Sequence, residues 1–127
     1  MKPITVDTAL ALMNAYQSFS KGQPGKYTTE DDGVRYTLLS DQNQLRNGPI
    51  VTFKIEEHEG IRWVTRMVIP DINGVYATDS LVVQSDNMFI RILFKSDDLP
   101  EGTYSMAPIR PVVIVPSVPS DRIQRFS

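Results

Sequence analysis

The chain has 127 residues, no cysteine and a single histidine, His58, with 13 Lys and Arg against 15 Asp and Glu. That length holds one hydrophobic core. The missing cysteines exclude disulfides, thiolate metal sites and cysteine nucleophiles, and one imidazole excludes any site within this chain that needs two. A formal net charge of −2 is not the balance of a dedicated duplex-DNA binder, while 41% hydrophobic and 22% charged residues describe a folding sequence.

The first predicted element is a helix over residues 6–21. Thr5 is placed to cap it, and Asp7 suits the positive end of the helix dipole. At 100° per residue, Val6, Ala9, Leu10, Leu12, Met13, Tyr16 and Phe19 share one arc. Gly22 and the run Gln23-Pro24-Gly25 then stop the helix. Asp7 and Asn14 interrupt the apolar patch, so it reads as a structural helix and not as a signal peptide. No apolar run approaches the ~18 residues that span a bilayer. Cytoplasmic synthesis is the expectation.

The period then changes from 3.6 to 2. A strand is expected over residues 33–39, entered from an acidic turn at Glu30-Asp31-Asp32, and residues 40–48 read as a polar turn. Residues 50–56 and 61–69 form the clearest hairpin, turning at 57–60. A turn at 70–74 leads to short strands at 75–77 and 81–84, then to a longer one at 88–95. Further strands are expected at 103–106 and 112–115. Leu99-Pro100-Glu101-Gly102-Thr103-Tyr104 resembles, in part, the tyrosine corner of Greek-key sandwiches. The fold expected is α+β in form and mainly β: an amphipathic helix followed by an antiparallel sandwich or barrel of six to eight short strands, with a Greek key as one topology. Residues 1–115 form the domain, and 116–127 an extended, proline-containing arm with Ile123 and Phe126 as its anchors.

Alternation assigns faces. Val51, Phe53 and Ile55, then Ile61, Trp63, Met67 and Ile69, then Met88, Ile90, Ile92 and Phe94 are expected inward, with Thr65 as the exception. The opposite set carries Lys54, Arg62, Arg66, Phe89, Arg91 and Lys95 among Val64, Val68 and Leu93. The acids concentrate in turns. A basic, half-apolar sheet face is therefore the candidate contact surface.

Chemistry is looked for and not found. His58 stands among Glu56, Glu57 and Glu59 at an expected hairpin tip, where an ordinary polar turn explains it. There is no nucleophile elbow, phosphate loop, dinucleotide fingerprint or calcium loop. No catalytic residue, metal ligand, cofactor or small-molecule ligand is expected. The reading that remains is a non-enzymatic subunit that contacts itself or an assembly partner through Lys54, Arg62, Arg66, Phe89, Arg91, Lys95, Ile123 and Phe126, as a virion head, neck or tail piece does. One alternative is a single-stranded nucleic-acid module that uses the basic face. Another is an inhibitor that presents acidic turns to a basic site.

Overall fold

The computed structural model describes residues 1–42 and 48–96. Helix α1, Val6–Phe19, is followed by seven strands: β1 Gly25–Asp31, β2 Val34–Gln42, β3 Pro49–Glu59, β4 Arg62–Ile69, β5 Ile72–Ala77, β6 Ser80–Ser85 and β7 Phe89–Leu93. All strand pairs are antiparallel, in a sheet β1-β2-β3-β4 and a second sheet β5-β6-β7. Both sheets run in chain order as meanders, so no Greek-key crossing occurs among the described residues. The expected strands at 103–106 and 112–115, the tyrosine-corner residues 99–104 and the arm lie outside the described residues.

The helix begins as its sequence dictates. Thr5 is extended at its φ and ψ, and its hydroxyl accepts the Thr8 N–H. It ends at Phe19, two residues before the expected stop, with Ser20 as cap and Gly22 at a φ of 104°. Ala9 and Leu12 are fully buried, while Leu10, on the edge of the expected arc, is exposed.

Strand β1 was not expected. Its sequence, GKYTTED, lacks apolar alternation, but it enters β2 through Asp32-Gly33, both at positive φ (52° and 76°). That is the signature of a two-residue hairpin loop that matches strand twist. The supposed acidic turn therefore lies mostly within a strand, and β2 runs on to Gln42, into the expected polar turn. The β3–β4 hairpin is also tighter than expected. Its loop is Gly60-Ile61, with Gly60 at a φ of 62°, so Ile61 stands fully exposed at the tip instead of facing inward.

One core joins the two sheets and the helix. It contains Ile4, Leu12, Tyr36, Leu38, Phe53, Ile69, Leu81, Val83 and Ile92. Tyr36 and Phe53 stack with ring centroids 6.2 Å apart. Val82, Phe89 and Tyr76 make a second small cluster on the opposite face of the second sheet. The N-terminal segment is sewn in by a parallel bridge: Ile4 donates to the Leu93 carbonyl and accepts from the Lys95 N–H, both at 2.9 Å. Met88, expected inward, precedes β7 and is exposed, whereas Ile90, Ile92 and Phe94 are buried as the alternation requires.

Candidate interaction surface

A β-bulge rearranges the expected faces. Ile55 pairs with Met67 and Glu56 with Thr65, which leaves Arg66 as an extra residue on β4. Met67 and Ile69 keep the inward face, but side chains below the bulge reverse. Trp63 pairs with His58 on the outer face, not in the core, and Thr65 lies beside Glu56. The Arg35 guanidinium sits 4.4 Å from the Trp63 ring centroid, and the His58 ring meets Trp63 edge-on at 4.9 Å. Arg35 also donates to Glu56 at 2.9 Å, and Lys54 approaches Glu56 at 3.4 Å. The Arg35 hydrogen bond holds the Glu56 carboxyl below the usual carboxylate range, with Lys54 helping, against the opposing effect of burial.

The expected basic face is divided. Lys54 lies on the outer face of the first sheet, and Arg62 at the exposed end of the β3–β4 hairpin. Arg66, at the bulge, binds Glu57 at 3.3 Å and also Glu59. Phe89 and Arg91 belong to β7 in the other sheet, and Phe89 is buried against Val82. Lys95 pairs with Asp31 at 3.0 Å and lies 3.9 Å from Asp32. Positive and negative charge are thus interleaved, not segregated between sheet and turns. Alternation alone could not foresee this, because it does not say which strands share a sheet. Ile123 and Phe126 lie outside the described residues.

What the fold does bring together is apolar. On the side of β7 away from β6 runs a groove of about 700 Å³. It takes Ile90, Ile92 and Phe94 from the core face of the strand and Phe89, Arg91 and Leu93 from the other, so it follows the strand's edge. Met1 and Pro3 flank it, placed there by the Ile4 bridge. Leu93 and Met1, which line it, are 52% and 70% exposed. Met1 also borders a second cleft of about 320 Å³, where Val34, Ile55 and Met67 meet the Glu57–Arg66 pair. Met1 and Pro3 were missed by sequence reasoning, since a bridge between residues 4 and 94 leaves no local signal.

A third, polar hollow of about 290 Å³ lies between the helix end and β5, with Tyr16, Asp71, Asn73 and Asp86. Burial raises the Tyr16 phenol, and Tyr76 and Asp71 add to the rise. Asn73 donates to Asp86 at 2.7 Å. Among the described residues no group of three or more His, Asp or Glu side chains is placed to hold a metal ion, and no helix is long and apolar enough to cross a membrane. Comparison with protein-family models, with curated proteins and with solved structures returned no match.

Proposed function

We propose that this chain works by contact and not by catalysis, as a subunit of a larger protein assembly; a virion is one setting for such a subunit. The observation that supports this reading is the apolar groove along β7 with Leu93 and Met1 exposed on it. Apolar surface gathered in one place on a small domain is the usual mark of an interaction site. The C-terminal arm supplies the complementary part, with Ile123 and Phe126 as anchors.

The test is solution size by light scattering, with and without deletion of residues 119–127. The reading expects an oligomer, or a captured assembly partner, that the deletion weakens. A stable monomer at high micromolar concentration, captured by nothing and indifferent to the deletion, overturns it. The nucleic-acid alternative draws less support, because Lys54 and Arg66 are on a different sheet from Phe89 and Arg91, and Lys54, Arg66 and Lys95 already face carboxylates. It would require salt-sensitive oligonucleotide binding that Arg62→Ala with Arg91→Ala weakens.

A further inference from the structure

We propose that β1 pairs antiparallel with β1 of a second copy of this chain, about a two-fold axis through Thr28, so that the two four-stranded sheets become one continuous sheet. The proposal rests on the assembly reading above and names a partner for it, but it uses a different surface from the β7 groove.

β1 ends its sheet. It pairs with β2 on one side, and among the described residues no strand lies on the other. Such an edge offers a row of backbone N–H and C=O groups to another chain. The outward side chains of β1 are Lys26, Thr28 and Glu30, and all three are exposed. Helix α1 packs against β1, β2 and β5 within the core and leaves these three uncovered. A strand laid antiparallel on its own copy pairs its residues symmetrically about one centre. Centred on Thr28, that pairing sets Lys26 opposite Glu30 once on each side of the axis, and Thr28 opposite itself. On the inward face, half-buried Tyr27 comes opposite Thr29 of the other copy. Opposite charges and paired threonines directly across a ladder both favour the sheet. Neither Lys26 nor Glu30 forms an ion pair among the described residues, so both are available to a neighbour.

The charges select both the register and the edge. Moving the centre to Tyr27 sets Lys26 opposite Thr28, and moving it to Thr29 sets Glu30 opposite Thr28, so either slip loses both ion pairs. The other edge strands do not fit the same operation. β4 paired with itself about Val64 would set Arg62 opposite Arg66, and it carries the bulge. β7 is already engaged at one end by Ile4, and Arg91 is its one charge. β5 lies against α1 and has no charged side chain. Charges on an edge strand repel most incoming strands. In β1 the basic residue comes first and the acidic one four positions later, and the matching partner for that order is the same strand reversed. This self-complementarity marks a second copy as the occupant, since no other segment gains from the symmetry.

A charge swap tests this directly, by sedimentation of the full chain. Lys26→Glu and Glu30→Lys each place two like-charge pairs across the axis, and each alone should raise the dimer dissociation constant about tenfold. An equimolar mixture of the two single variants should recover the parent affinity as a heterodimer, and the double variant should recover it as a homodimer. The substituted side chains are exposed, so circular dichroism should stay unchanged. The chain has no cysteine, which gives a second readout. Directly opposed residues of an antiparallel pair have Cα atoms about 4.5–5.5 Å apart, within disulfide reach. Thr28→Cys should therefore oxidise to a covalent dimer, whereas the same change at Thr65, exposed on β4, should not. If the protein is oligomeric but the mixed and double variants recover nothing, the pairing of β1 is overturned and the assembly reading stands. A monomer at high micromolar concentration, with Thr28→Cys remaining a free thiol and no partner captured, removes both.

Discussion

The Lys95 ammonium lies 3.0 Å from one oxygen of the Asp31 carboxylate, whose other oxygen accepts the Thr5 N–H at 2.7 Å. One buried carboxylate thereby ties the end of β1, the cap of α1 and the residue pair that follows β7. Burial pushes the Asp31 carboxyl up, but the Thr5 N–H and Lys95 pull it further down, to a net value below the ordinary 3.8. A carboxylate depressed in the folded state adds stability at pH values above its unfolded pKa. That stability is lost as pH falls through the lower folded value. Asp31→Asn keeps an acceptor for Thr5 and loses the charge. We expect it to cost about 1–2 kcal/mol at neutral pH and to flatten the loss of stability below about pH 4. Urea unfolding of both proteins from pH 2 to pH 7 checks this; parallel pH profiles would remove Asp31 from the account.

Arg35 bridges two neighbours, the Trp63 ring and the Glu56 carboxylate. Arg35→Ala should uncover the ring of the only tryptophan and shift its fluorescence to the red. It also leaves Glu56, 8% exposed, with the longer Lys54 contact alone. The variant should unfold at a lower temperature than the parent, and Glu56→Gln in the same background should recover part of the loss. An unshifted emission maximum would contradict the placement of Trp63 on the outer face.

Gly74 and Tyr76 stand two residues apart on one face of β5. A Cβ on Gly74 would lie 2.6 Å from Tyr76 Cε2 and 2.9 Å from Cζ. The ring cannot move off freely, since it packs against Val82 and Phe89. Gly74→Ala should destabilise by about 1–3 kcal/mol. Tyr76→Ala should do so by its own amount, and the double variant by less than their sum, because the second substitution removes the clash. Additive losses in a double-mutant cycle would show that the ring does not lie over Gly74.

Where the sequence was legible, one local rule governed a whole element. The helix followed its cap and its 3.6-residue period, β3 and β7 followed apolar alternation, and β6 followed its short apolar run. Strand β1 has no such pattern. Tyr27, Thr28, Thr29 and Glu30 join a sheet because the Asp32-Gly33 loop lays them against β2, and that loop was the overlooked signal. The bulge at Arg66 is a harder case. It is decided by the pairing of β3 with β4, and it sends Trp63 outward although its spacing from Met67 and Ile69 points inward. The candidate surface was least legible, because it depends on the bridge between Ile4 and Phe94, far apart in sequence.

Tyr36 supplies the last prediction. Its ring is fully buried and stacked on Phe53, and its hydroxyl is buried with no hydrogen-bond partner. Burial, with the nearby Asp31 carboxylate adding, drives the phenol well above its ordinary value of 10.0. A raised folded pKa leaves the neutral hydroxyl in place across the neutral range, so no charge enters the balance there. What remains is a polar group taken from water without compensation, which costs about 1–3 kcal/mol. Tyr36→Phe removes that group and keeps the ring and its stacking. It should therefore leave Tm unchanged or raise it, whereas Tyr36→Leu should lower it by removing the ring. Thermal unfolding of the two variants against the parent decides the matter: a clear loss in Tyr36→Phe would mean that the hydroxyl makes a stabilising bond in solution.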